Sequence, residues 1–210
     1  MGILADCNRH TRQWGANLAL AGWLGADGVR FLLFARDLKA DLADGTSGVL
    51  FLIAAAFVLR RARPRAQDTR LGAVIVALAA TVLPVLLAWL APAQAKTGGI
   101  ALVVQVAAVL MMGAGLLYLR SNFSVLPQYR TVVTGGPYAL VRHPIYGSYL
   151  IFDGALTLEA GSWLAGILWL AEGLLLLARA RLEERLLMEG DEAYARYLLR
   201  VSWRFVPGVV

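Results

Sequence analysis

Cysteine is nearly absent from this chain: Cys7 stands alone in 210 residues, so no intrachain disulfide can form. Histidine is almost as scarce, with only His10 and His143, which leaves no Cys/His cluster at metal-ligand spacing; we expect no metal site. Charge is also thin, at 16% of residues against roughly 25% in ordinary soluble domains. No Gly-x-Gly-x-x-Gly follows a strand-like run, which argues against a Rossmann nucleotide domain. Nor is there a basic stripe with interleaved aromatics, so nucleic acid is not expected as a partner. The first residues, Met1 to Gln13, are polar and basic, and the apolar stretch after them lacks a small-residue cleavage site; no removable signal peptide is predicted.

What is abundant is apolar sequence, 59% of the chain, and it is gathered into blocks rather than spread at core-like spacing. Taking roughly 20 residues as the length that crosses a hydrocarbon layer, five blocks can be placed. The first, about Trp14 to Phe34, contains Asp27 and Arg30 at i, i+3 spacing and reads either as a span or as an interfacial helix. The second covers about Thr46 to Leu59. The third, Leu71 to Leu90, carries Pro84 as an expected kink, and the fourth, Gly99 to Leu119, offers Gly113 and Gly115 for close helix contact. The fifth, Tyr146 to Ala178, is too long for one crossing. Its break near Glu159 to Ser162 predicts a helical hairpin turning at Gly161-Ser162. The predicted fold is therefore all-α: a polytopic transmembrane bundle of about five spans, its last block a hairpin, with residues 1–119 supplying membrane helices and 120–210 the polar, chemistry-bearing region.

The net charge of +6 is distributed by loop. Arg60 to Arg70 holds five arginines against Asp68 alone, which places that loop inside by the positive-inside rule. Alternating from there puts Arg120 to Arg142 and the C-terminal tail on the same, cytoplasmic side of a bacterial-type inner membrane.

Two polar stretches are dense in residues with special roles. Thr134 to Tyr146 includes Gly135-Gly136-Pro137, Tyr138 and Arg142-His143-Pro144, with Pro144 set to open a helix. By itself this reads as a helix start with Arg142 and His143 among headgroups and Tyr138 and Tyr146 in an aromatic belt. The tail holds Arg179, Arg181, Glu183, Glu184 and Arg185, then Tyr194, Tyr197, Arg200, Arg204 and Pro207. By itself that is a solvated amphipathic face, although its nearly balanced charge is odd for a helix that only anchors.

Together, Asn122-Phe123-Ser124 with Pro127, Gly136-Pro137-Tyr138, Val141 to Tyr146, Glu183-Glu184-Arg185-Leu186-Leu187, Tyr194-x-x-Tyr197 and Arg204-x-x-Pro207 resemble the isoprenylcysteine carboxyl methyltransferases and their phospholipid methyltransferase relatives. The match spans about the last 90 residues; the first 115 match only as membrane spans. The resemblance implies S-adenosylmethionine bound by Tyr138, Arg142, His143, Tyr146, Glu183, Glu184 and Tyr197. It implies transfer of a methyl group to a lipophilic or small-molecule acceptor, with Arg204, Glu184 and Arg142 in catalytic roles. Arg204 or Arg142 would orient an anionic acceptor, and Glu184 would accept the proton of an amine. The chain departs from many relatives in the spacer Met188 to Ala193, where they carry a longer one with Phe-Gly, so the acceptor stays open. Two other readings compete: a membrane sterol-type reductase using NADPH, and a non-enzymatic scaffold or transporter, for which Asp27, Arg30, Asp153 and Glu172 would be the midplane ionisable groups.

Overall fold

The structure, a computed structural model, describes residues 18–29 (except 20 and 27), 42–60, 64, 66–90, 99–126, 128–129 and 131–209. The chain divides into two units, Met1–Arg61 and Ala62–Val210. In the first, the described residues of 18–29 are helical (α1), and α2 spans Leu42–Leu59, starting four residues before the expected block. The Asp27/Arg30 pair lies outside the described residues.

The second unit is built around four long helices. Helix α3 covers Leu71–Leu90 and α4 covers Gly99–Leu119, the bounds that the apolar blocks predict. Helix α3 continues through Pro84. Helices α5 (Pro144–Ala160) and α6 (Trp163–Gly190) form a hairpin. Its turn is where the sequence places it: Gly161 caps α5 in the left-handed region (φ +58°), a conformation that costs glycine nothing. Helix α4 packs on α5, and α3 on α6. A final helix, α7 (Glu192–Arg200), starts at Asp191, whose side chain accepts from the Ala193 N–H at 2.9 Å.

Side-chain size sorts across these helices in an unusual direction. Ala73, Ala77, Ala80, Ala108, Ala155, Ala165 and Ala180 are buried, whereas Leu71, Ile75, Leu78, Ile100, Val103, Leu110, Ile167, Leu170 and Leu174 point outward. Small residues let helix backbones close on one another, and an outer face of large apolar groups is what lipid solvates. By length and composition, Gly99–Leu119 and Trp163–Gly190 can cross a membrane; Leu71–Leu87 is a shorter apolar helix. At 28 residues α6 is about 42 Å long, more than the thickness of a hydrocarbon core of about 30 Å, and its charged residues all lie past Ala171.

Apart from these helices, a two-residue antiparallel pairing joins Ala66–Gln67 (β1) to Gln128–Tyr129 (β2), and the Gln128 side chain donates to Gln67 at 2.9 Å. The loop after residue 64 and the stretch following α4 therefore meet, and the start of α5 and the C-terminal tail meet likewise.

Candidate active site

The segment before α5 and the C-terminal tail are stitched together through their backbones. Arg142 N–H donates to the Trp203 carbonyl at 2.9 Å, and His143 N–H to the Arg204 carbonyl at 2.7 Å. The Arg142 guanidinium completes the seam, donating to the carbonyls of Val201 (2.8 Å) and Ser202 (2.9 Å). Residues 201–205 thus form a strap across the start of α5. It lies so close that a Cβ on Gly147 would sit 2.4 Å from the Phe205 carbonyl oxygen; only glycine fits there.

The strap places Arg204 over Glu184. Arg204 Nε lies 3.1 and 3.2 Å from the two Glu184 oxygens and its Nη2 lies 3.1 Å from Oε2, a bidentate pair; Arg142 Nη1 adds a bond of 3.3 Å to Oε1. His143 Nε2 stands 3.4 Å from the same Oε1. Glu184 is buried, well past the apolar stretch of α6 that ends at Ala178. Burial alone would raise its carboxyl, but contact with His143, then with Arg204, outweighs this and brings it down to about 2.

Glu183, one residue earlier, faces a second group of partners. Its Oε1 accepts from Tyr146 Oη at 2.5 Å and from Arg179 Nε at 3.1 Å, and its Oε2 lies 3.8 Å from His143 Nδ1. The His143 and Tyr146 rings stack in parallel, centroids 5.2 Å apart, with Phe205 edge-on to both. His143 is 9% exposed, and its Nε2 is a buried polar atom without a hydrogen bond. Arg204 keeps 30% of its side chain exposed, so this side of the cluster opens to water.

Tyr138 and Tyr197 are buried and joined, Tyr197 Oη donating to the Tyr138 carbonyl at 2.6 Å. Burial raises both phenols; Tyr197 is pushed up to about 12, with Glu184 adding to the effect and Arg142 opposing it. Tyr194 and Tyr197, three residues apart on α7, pack with Val201, Val132, Leu187 and Leu198. This small core fixes the cap on α6.

All the candidate site residues accordingly lie in one neighbourhood, but their surroundings differ. His143, Tyr146, Glu183, Glu184 and Arg204 form the cluster itself. Arg142 is committed mainly to the strap, and Tyr138 and Tyr197 to its support. The headgroup and aromatic-belt placements of His143, Tyr138 and Tyr146 do not hold, since all three are buried. Likewise Glu184 is not on a solvated face. Three residues were given no site role from sequence: Arg179, named there only as part of the charged tail, Phe205 and Gly147. Arg179 had one local signal, its i, i+4 spacing to Glu183, but Phe205 and Gly147 act through contacts between distant segments.

The remaining midplane candidates, Asp153 and Glu172, are buried side by side where α5 packs on α6, their carboxyl groups facing each other. Nearby, Gly154 meets Trp169 and Gly173 meets Leu150 at contact distance, so the helices are closely packed there.

The chain is similar to a solved structure of the eukaryotic intramembrane Ras methyltransferase ICMT (isoprenylcysteine carboxyl methyltransferase), obtained without a monobody. The likeness has a TM-score of 0.50 at 18% identity and covers 92% of this chain and 75% of that one. The chain has an ICMT-like fold. No protein-family profile matches it, and no curated protein does.

Proposed function

We propose that the protein is an integral membrane methyltransferase that uses S-adenosylmethionine, crossing a bacterial-type inner membrane about five times with its site on the cytoplasmic side. The observation that carries this reading is the convergence, in one buried cluster, of the His143–Tyr146 stack with Glu183 and Glu184, although Tyr146 and Glu183 are 37 residues apart in the chain. A sulfonium cofactor with hydroxyl, amino and carboxylate groups suits these residues. His143 Nε2 is a buried polar atom still lacking a hydrogen bond, Tyr146 and Phe205 offer aromatic rings to a cation, and Arg204 reaches solvent beside them. S-adenosylmethionine, when bound, supplies an electrophilic methyl group open to in-line displacement.

The chain's own part is positioning and exclusion of water. Glu184 is a weak base at neutral pH, with its carboxyl at about 2, so we assign it to fixing Arg204 and His143 rather than to taking a proton from an amine. Arg204 is the residue for orienting an anionic acceptor such as a carboxylate or thiolate. Arg142 acts by holding the strap that carries Arg204. The acceptor arrives from the bilayer between apolar helices, the cofactor from the aqueous side. Acceptors sharing one head but differing in chain length should then gain apparent affinity by about 0.8 kcal/mol per added methylene. Equal turnover of short and long acceptors at matched free concentration refutes lateral arrival.

The reading itself is tested by titrating the purified protein with S-adenosylhomocysteine and, separately, with NADPH in a calorimeter. Saturable heat with the first and none with the second is expected. The reverse pattern assigns the fold to a reductase, and no heat with either leaves a scaffold.

A further inference from the structure

Arg179 lies outside the segments that carry the methyltransferase resemblance, yet it is the most heavily engaged base at the site. It is 5% exposed and projects from α6 one turn before Glu183. Its Nε donates to Glu183 Oε1 at 3.1 Å, its Nη1 to Thr81 Oγ1 at 3.2 Å and its Nη2 to the Ser124 carbonyl at 2.9 Å. The guanidinium also lies over the Tyr146 ring, 5.1 Å from its centroid. One planar fork thus ties α6 to α3, to the segment after α4 and to the first turn of α5. A lysine ammonium lacks the geometry to serve those three directions at once.

The direction of each bond adds to the case. The Thr81 hydroxyl spends its proton on the Ala77 carbonyl at 2.8 Å, so it can only accept from Arg179. Both Tyr146 Oη and Arg179 Nε converge on Oε1 of Glu183, which leaves Oε2 turned toward His143 Nδ1. The orientation of the Glu183 carboxylate, the Tyr146 hydroxyl and the stacked His143 ring therefore depends on where Arg179 is anchored.

From this geometry we infer that Arg179 is a positioning residue: held by Thr81 and Ser124, it sets Glu183 and, through it, the Tyr146–His143 stack that receives the cofactor. The inference rests on the methyltransferase reading for the identity of the ligand, but not for the arrangement of the residues.

The test uses Thr81→Val and Arg179→Met in the full chain. Thr81→Val removes the remote anchor with little change of shape and touches none of the site residues beyond Arg179. If Arg179 positions the site, Thr81→Val weakens S-adenosylhomocysteine binding by about 3- to 10-fold and Arg179→Met by about 10- to 100-fold, as for a lost hydrogen bond and a lost charge-assisted network. The double variant then binds no worse than Arg179→Met alone. Affinities within about twofold of the parent in both single variants, or losses that multiply in the double variant, overturn the proposal.

A ligand-free readout separates the two levels of inference: the ring nitrogen resonances of His143, recorded with labelled histidine in a His10→Asn background. Should the parent bind no S-adenosylhomocysteine, the methyltransferase reading falls, and these resonances decide the inference. A shift in both Thr81→Val and Arg179→Met upholds the positioning role; resonances that stay in place overturn it.

Discussion

Two pairs of carboxylates sit along the same hairpin, and they are held in opposite ways. Glu184, buried, and Glu183, half-buried, stand just past the apolar stretch of α6 and are met by Arg142, Arg179, Arg204, His143 and the Tyr146 hydroxyl. Asp153 and Glu172, both buried, stand inside the hairpin with their carboxyl groups facing each other. The bases of the first pair come largely from the segments flanking the helices: the start of α5, the strap, and α6 just past its apolar stretch. Burial of charge thus means different things at the two places: past the apolar stretch it is compensated and builds a polar site, while in the seam it is a local cost within close packing.

The largest effect that sharpens this contrast is expected for Glu184→Ala. Removing the carboxylate shared by Arg142, Arg204 and His143 leaves two guanidiniums without their counterion and frees the strap. We expect a loss of about 3 kcal/mol in stability, the lower end for breaking a buried pair because Arg204 is partly solvated. Chemical unfolding in mild detergent measures it, and proteolysis after residue 200 should speed up. His143→Ala keeps both guanidinium contacts of Glu184 and should weaken S-adenosylhomocysteine binding by about 1–3 kcal/mol, with a smaller loss of stability than Glu184→Ala.

An acid titration separates the pairs differently. The Glu184 carboxyl lies at about 2 in the folded protein against its ordinary 4.5, so its protonation disfavours the folded state. Its stabilising contribution is complete above about pH 4.5 and is lost as pH falls from there toward 2. Chemical unfolding at a series of pH values should report this as a loss of stability in that window, and Glu184→Gln should reduce the loss. A parent protein whose stability is flat from pH 5 to about 2 contradicts the ion-pair account.

How much of this was legible in sequence follows from the same contrast. Helices α3 and α4 were readable to their ends because apolar runs stop abruptly at Arg70, Gly99 and Arg120, and the hairpin turn because Gly161-Ser162 interrupts an otherwise continuous run. Residues at the membrane boundary were harder. An arginine such as Arg179 or Arg142 looks there like a headgroup anchor, and nothing local distinguishes one that instead reaches Thr81, 98 residues away, or Val201, 59 residues away. The strap was invisible for the same reason, being a backbone pairing of two irregular segments with no periodicity of their own. What the motifs did convey, through the family resemblance that they carry and not through their residue types alone, was the convergence of His143, Tyr146, Glu183 and Glu184.

The smallest effect is expected in the seam. Glu172→Gln replaces one carboxyl of a buried pair that faces no base among the described residues and should be neutral or stabilising by about 1 kcal/mol in a thermal melt, with the affinity for S-adenosylhomocysteine unchanged. A large loss of affinity here breaks the comparison, because it makes the seam part of the site.

The central claim, that the segments around His143 and around Glu184 jointly hold the cofactor, is tested most directly by ultraviolet crosslinking of tritiated S-adenosylmethionine to the intact protein followed by peptide mapping. The account predicts label in the peptides containing Tyr138 to Tyr146 and Glu183-Glu184, displaced by S-adenosylhomocysteine and not by NADPH. Label confined to other segments, or none that S-adenosylhomocysteine displaces, contradicts it.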